Sequence, residues 1–395
     1  MVAIPVRGTV LEWARKEKHL SVEEAAGLIG VDTVRLAELE AEIGEKPNLG
    51  LLRQIAAKYE ISVAALLMPE PLPLTDRPTI KDHRVLDGKR PEYTLKLRSA
   101  IDLIWENIDD LSDLKRQEPD LFVSTEGLPK LSIDQEAKEA AQKERKRIGI
   151  SVESQLGWHT DREAFLRWRL AVERQGVFVH VQNIGSSDNC RGFAIFDERD
   201  IPVIFINSDE SERDHDYRSR TYGLIHEYCH VLLRSTSLSG HTQNIDRSNR
   251  VERFCNEFAA EFLMPRGPFL DEFAALQIGQ RAVEVRDVSR LAAKFHVSLS
   301  AVAIHLETLG CVPVGFYRNL RAVLAKGKPE AGGRASWEEK LANRWGVAFL
   351  DVLLRAKERG SLDGSDVLEI SGIKPKYYGS VRREIFSRQA AYGGT

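Results

Sequence analysis

The chain of 395 residues lacks several features that would indicate an exported or membrane-bound protein. Its four cysteines, at positions 190, 229, 255 and 311, are scattered, so we expect free thiols in a reducing cytoplasm. No uncharged apolar run approaches the ~18 residues that suggest a membrane span. Residues 1–19 lack the apolar centre of a secretory signal peptide. These absences predict a cytoplasmic protein without membrane association.

A strong excess of charge of one sign is also missing. The formal net charge is −3, so binding of nucleic acid would require a local basic patch. The hydrophobic content of 43% and the charged content of 29% are ordinary for a globular protein. Because single cores stop growing near ~250–300 residues, the length predicts two or three domains.

Residues 6–70 alternate short helical patterns with turn signals and predict a five-helix domain. Ser21 and Glu24 have the spacing of a capping box, and Asp32 is placed to cap the following helix. Residues 71–92 begin with a proline-rich stretch that cannot propagate a helix, which indicates a linker.

Four further segments are predicted after this linker. Residues 93–150 form a helical connector, and residues 151–270 combine a small sheet with the helix that contains HEYCH. Residues 271–325 form a helical extension with a helix–turn–helix texture, and residues 335–390 form a C-terminal helical segment. The predicted fold class is therefore mainly α with a small β-sheet, or α+β.

The segment HEYCH, residues 226–230, has the spacing of half a metal site. On a helix, His226 and His230 lie one above the other and can present two imidazoles to one cation. Glu227 is offset by one residue, so it can accept a proton from a water on that cation. The alternative is a buried helix that carries polar residues by chance, and a third ligand would favour the metal site.

Glu252 on the next predicted helix is the preferred third ligand. It lies beside a buried stripe of phenylalanines, and Asn256 on the same face could orient a ligating histidine. Glu257 and Glu261 are rivals on that helix, and His241 is expected in a loop. Zinc is the expected ion, although imidazole and carboxylate ligands also accept manganese.

Three other residues have weaker functional interpretations. Cys229 is interpreted mainly as a small buried hydrophobic residue, with a redox or zinc-blocking thiol as the alternative. His159 and Tyr222 could polarise a substrate carbonyl, but no sequence pattern selects them.

The HExxH helix followed by ExxCNxFAAxFLMP resembles the ImmA/IrrE family of bacterial zinc metallopeptidases over residues 150–310. The resemblance implies that His226, His230 and Glu252 bind zinc and that Glu227 is the general base. It also implies that residues 151–270 form a zincin-like metallopeptidase domain.

The N-terminal pattern resembles helix–turn–helix domains of the XRE, or Cro/CI, family. The matching positions are Ser21, Glu24, Ala25, Ala26, Gly30, Leu39, Glu40, Pro47 and Leu51 to Ala57. The resemblance implies that the helix after Asp32 enters a DNA major groove. The candidate DNA contacts are Arg15, Lys16, Lys18 and Arg35. Because this helix is acidic, the alternative is a module for protein docking or homodimerisation.

Together these resemblances imply a regulatory zinc metalloendopeptidase that cleaves a helix–turn–helix repressor or partner protein. Such cleavage would control transcription in a stress, phage or mobile-element response. A first alternative is a DNA-binding regulator in which the peptidase fold is a sensor. A second is an antitoxin-like module in which residues 337–386 bind a partner.

Overall fold

A computed structural model of the chain divides into two compact units, residues 1–78 and 79–395. The structure describes residues 4–18, 20–59, 61–71, 81–82, 94–185, 190–208, 217–235, 237–240, 250–278, 281–324 and 336–393. The predicted mainly α fold with a small sheet is confirmed. None of the helices in these ranges is long and apolar enough to cross a membrane.

The first unit consists of five short helices. They are α1 (Gly8–Glu17), α2 (Val22–Ile29), α3 (Thr33–Glu40), α4 (Leu49–Tyr59) and α5 (Val63–Leu66). Ser21 and Glu24 form the predicted capping box at α2, and the Asp32 carboxylate accepts the Val34 N–H at the start of α3. Gly30 ends α2 with a φ of +79°, which permits the tight turn into α3.

The helices of the second unit surround a small sheet. They are α6 (Leu95–Gln117), α7 (Ala137–Ile148), α8 (Val152–Leu156), α9 (Asp161–Glu173), α10 (Tyr217–Leu232), α11 (Arg250–Leu263), α12 (Arg266–Ala275), α13 (Val285–Phe295), α14 (Leu299–Thr308), α15 (Phe316–Leu324), α16 (Trp337–Trp345), α17 (Val347–Arg359), α18 (Gly364–Ser371) and α19 (Tyr378–Tyr392). The predicted connector, extension and C-terminal segment thus belong to the same compact unit as the HEYCH helix.

The sheet has five strands in the order β1-β5-β3-β4-β2. They are β1 (Lys81–Asp82), β2 (Phe178–Gln182), β3 (Cys190–Ile195), β4 (Val203–Asn207) and β5 (Ser237–Gly240). β2 is parallel to β4, and β1 is parallel to β5, whereas β3 is antiparallel to both β4 and β5. Apart from β1, the predicted linker lies almost entirely outside the described residues.

The two faces of the sheet belong to two different cores. Ala194, Ile204 and Ile206 pack into a core that contains residues of α10 and α11. Phe193 and Phe205 pack into a second core with residues of α6, α16 and α17. This arrangement follows from the alternation of side chains along a strand. The HEYCH helix and the C-terminal segment therefore cover opposite faces of the sheet.

Candidate metal centre

α10 is buried along almost its whole length between the sheet, α9 and α11. His226, Glu227 and His230 are all buried, although histidine and glutamate are strongly hydrated in water. Three such groups buried on two turns of one helix need hydrogen-bonding or charged partners to replace the lost water. The Nε2 atoms of the two histidines lie 3.2 Å apart, so the i and i+4 positions bring both imidazoles to one point, as predicted.

Glu252 on α11 supplies the third group at this point. Its carboxylate oxygens lie 3.3 Å from His226 Nε2 and 3.0 Å from His230 Nε2. The ligand atoms of all three side chains lie within 4.8 Å of one another. The structure therefore brings together the three residues that the sequence indicated as metal ligands.

The rival carboxylates on α11 lie elsewhere. Glu257 is exposed, one position beyond Asn256. Glu261 is buried, but its carboxylate accepts hydrogen bonds from the Gln142 side chain and the Arg266 N–H. His241 lies outside the described residues. Glu252 is thus the carboxylate of α11 that faces the two imidazoles.

Electrostatics at the cluster keep the carboxylate ionised. Burial by itself raises the pKa of Glu252, but hydrogen bonds and charge from His226 and His230 outweigh it and hold the pKa well below its usual range. An ionised carboxylate is the form that binds a metal ion.

Ser235 is a site residue that the sequence did not predict. Its hydroxyl lies 3.1 Å from His230 Nδ1, the ring nitrogen opposite the metal-facing one. A partner at this position fixes the orientation of a ligating imidazole. Ser235 follows α10 in an irregular turn, so no helical spacing indicated it.

Asn256, the predicted orienting residue, contributes to a different contact. Its backbone carbonyl accepts a hydrogen bond of 3.0 Å from the Tyr222 hydroxyl. Burial raises the pKa of Tyr222 and keeps this phenol protonated. His159 is exposed, and its backbone N–H is bonded to Glu163. Tyr222 thus joins α10 to α11.

Gly192 on β3 allows the sheet to approach Glu227 closely. A Cβ atom at this position would lie 2.6 Å from the Phe205 carbonyl oxygen and 3.3 Å from Glu227 Oε1. Only a residue without a side chain fits there without a shift of its neighbours. β3 therefore forms the wall against which the Glu227 carboxylate rests.

Two buried cysteines complete the surroundings of His230. Cys229 and Cys255 are fully buried, as predicted for Cys229 as a small hydrophobic residue. None of the four cysteines, all of which lie in the described ranges, forms a disulfide bond. Burial, followed by the contact with Cys229, raises the pKa of the Cys255 thiol well above its usual range. Cys255 is therefore a neutral thiol next to His230, and both cysteines pack into the core that contains α10 and α11.

The donor set fits a divalent metal ion. Two imidazole nitrogens and one carboxylate, all buried, are the protein ligands of catalytic zinc sites that keep a fourth position for solvent or substrate. The three residues would hold the ion, and Ser235 would orient His230.

The predicted DNA contacts of the first unit lie in varied settings. Arg15 is 7% exposed, and its guanidinium donates two hydrogen bonds of 2.7 Å to Glu40. This ion pair joins α1 to α3 inside the unit, and the role of Arg15 as a DNA contact stays a prediction. Lys16 is exposed and pairs with Glu12, while Lys18 is half-buried.

Arg35, on α3, is held by groups of its own unit. Its guanidinium lies 3.6 Å from the Glu38 carboxylate and donates to the Glu45 carbonyl oxygen. The one basic side chain of α3, the helix predicted to contact DNA, is thus paired with an acidic neighbour.

Comparison with known proteins gives one family. Residues 172–307 match a peptidase family model described as the IrrE N-terminal-like domain. The match runs from the end of α9 into α14, so it includes His226, Glu227, His230 and Glu252. It supports the resemblance of this part of the chain to the ImmA/IrrE family. A search among curated proteins finds no match for the chain.

Proposed function

We propose that this protein is a regulatory metalloendopeptidase with its catalytic centre between α10 and α11. The observation that carries the proposal is the convergence of His226, His230 and Glu252 within 4.8 Å, with Glu227 beside His226. The match of residues 172–307 to a peptidase family model supports the reaction class.

The chain's own residues provide binding and proton transfer. A divalent cation held by His226, His230 and Glu252 would supply Lewis acidity and lower the pKa of a water molecule. Glu227 would accept a proton from the attacking water and pass it to the leaving amine. One water is consumed as the C–O bond forms and the amide C–N bond breaks.

Zinc is the proposed ion, and a helix–turn–helix repressor is the proposed substrate. Two imidazoles with one carboxylate are a frequent ligand set of catalytic zinc, although manganese also accepts such ligands. The resemblance to ImmA/IrrE peptidases supports a substrate that regulates transcription, so that cleavage would release the genes it represses.

The test is cleavage of a purified helix–turn–helix repressor encoded beside this gene, by full-length protein loaded with zinc or manganese. We expect Glu227→Gln to keep the metal ion and to lose cleavage. The matched control is Glu257→Gln, which makes the same change at an exposed position and should cleave like the wild type.

Retained cleavage by Glu227→Gln would remove the proposed role of this residue. If neither the wild type nor this variant cleaves while both regulate transcription equally, the peptidase fold acts as a sensor instead. A metal-loaded wild type that cleaves establishes the enzymatic function.

A further inference from the structure

The exposed side of α3 carries apolar and acidic side chains, although α3 is the helix predicted to contact DNA. Val34 and Ile43 are 66% and 62% exposed, and Ala37 and Ala41 are also exposed. Val34, Ala37 and Ala41 share one side with Glu38, because residues three, four and seven apart are neighbours on a helix. We call Val34, Ala37, Glu38 and Ala41 the α3 face.

The apolar residues of the α3 face do not belong to the core. Leu36 and Leu39, on the opposite side of the helix, are the buried residues that α3 contributes to the core. The first unit contributes five of the eleven large hydrophobic side chains that are exposed among the described residues, in about a fifth of the chain. On α3 itself, Val34, Ala37 and Ala41 form an exposed apolar strip beside Glu38, and exposed apolar surface rimmed by polar groups is typical of an interaction site.

The charge around this face opposes DNA and favours a cationic partner. Residues 21–45 contain seven acidic side chains and one basic one, Arg35. Glu38 lies beside that guanidinium, and Arg15 is buried against Glu40. Binding to DNA depends largely on neutralisation of phosphates by lysine and arginine, and this surface would instead repel phosphates.

We propose that the α3 face is a docking site for a cationic, amphipathic helix of a partner protein. The apolar side chains would contact its apolar side, and the acidic rim would pair with its lysines and arginines. The identity of this partner rests on the proposed function: it is the basic DNA-contacting surface of the regulator that the peptidase cleaves. Docking would then compete with the operator DNA for the same surface.

The experiment measures binding of full-length Glu227→Gln to short labelled probes by fluorescence anisotropy. The probes are an amphipathic helical peptide with a lysine and arginine polar side, a peptide with the same apolar residues and a glutamate polar side, and a DNA duplex. We expect the cationic peptide alone to bind, with an affinity that falls as salt is raised.

Variants locate the site of binding. Val34→Lys and Glu38→Lys, each added to Glu227→Gln, should weaken binding of the cationic peptide roughly tenfold or more, as expected for a central contact. The matched control is Val314→Lys, since Val314 is 93% exposed and lies in the second unit. Circular dichroism checks that each variant is folded, and Ala37→Lys replaces any that is not.

Three results would overturn the proposal. The first is tighter binding of the DNA duplex than of the cationic peptide. The second is an equal loss of peptide affinity in the α3 face variants and in Val314→Lys. The third is a homodimer of the full-length protein that Val34→Lys dissociates. Because binding is measured without cleavage, these outcomes are independent of whether the proposed peptidase activity exists. A cleaving enzyme whose α3 face variants bind normally would retain the function and lose this docking site.

Discussion

Two groups of buried ionisable side chains, one on α9 and one on α10 and α11, are satisfied in different ways. On α9, Arg169 Nε donates to Glu173 Oε1 at 2.9 Å. The other donors of Arg169 reach the backbone carbonyls of Asn343 at the end of α16 and of Val179 on β2. Glu173 Oε2 accepts the first two backbone N–H groups of α17. This ion pair therefore caps two helix ends and attaches the C-terminal segment to α9.

The cluster on α10 and α11 has its ligand atoms directed at one another instead. The nitrogens of His226 and His230 and the carboxylate of Glu252 meet within 4.8 Å. The two charges of the α9 pair neutralise each other, and backbone groups at helix ends take up their remaining hydrogen bonds. The cluster on α10 and α11 instead gathers side-chain ligand atoms around one small volume.

The largest expected effect is on the structural pair. Arg169→Ala leaves Glu173 buried without its partner, so the free energy of unfolding should fall by about 3–5 kcal/mol. Chemical denaturation measures this loss, which should be the same with and without metal. The control is Lys143→Ala, which breaks an exposed pair with Glu139 at the same i,i+4 spacing and should cost less than about 0.5 kcal/mol. Equal losses would contradict the distinction between the two groups.

Removal of the metal ion should destabilise the wild type strongly. Binding to the folded state stabilises it by about 4 kcal/mol at a free metal concentration ~1,000 times Kd. Thermal unfolding with and without a chelator measures the change. If chelation leaves the transition of the wild type unchanged, the cluster on α10 and α11 is a structural group like the pair on α9.

Gly192→Ala should separate catalysis from metal binding. The added Cβ would displace the Glu227 side chain and strain the backbone of β4. A misplacement of a catalytic group by about 1 Å costs roughly a hundredfold in rate. Metal content and cleavage rate are measured together, with Gly223→Ala as a control because an added Cβ there makes only ordinary contact. Loss of metal binding in parallel with rate would contradict the assigned role.

Ser235→Ala should have a smaller effect on metal affinity. Loss of the hydroxyl beside His230 Nδ1 should weaken binding about tenfold, the lower end for residues that orient a ligand. Competition with a metal-binding dye measures Kd. Asn256→Ala is the comparison and should change affinity less, since Asn256 accepts the Tyr222 hydroxyl through its backbone carbonyl, which the substitution keeps. The reverse order would favour Asn256 over Ser235 as the residue that orients a ligating histidine.

Local patterns predicted the elements that depend on neighbouring residues. The capping box at Ser21, the strands β2 to β4 and the i,i+4 histidines follow from spacing along the chain. Glu252 was indicated because a buried stripe beside it fixed the orientation of its helix. β1 and β5 were missed, since two residues and a serine-rich tetrapeptide give no strand signal.

Contacts between distant segments could not be predicted in this way. Arg169 and Glu173 have the spacing of an ordinary surface pair, and only the arrival of α16 and α17 buries them. Arg15 reads as a surface cation until α3 places Glu40 beside it. Which group pairs with a buried charge thus depends on the tertiary fold. The position of the charged residue on its helix, in contrast, follows from the sequence alone.

The most direct test is the metal content of purified wild type, Glu252→Gln and Glu257→Gln after exposure to equal zinc. Mass spectrometry under native conditions counts the ions bound per chain. We predict one zinc ion in the wild type and in Glu257→Gln, and a large loss of zinc from Glu252→Gln. Full zinc binding by Glu252→Gln, or none by the wild type, would contradict the metal centre on which the proposed function depends.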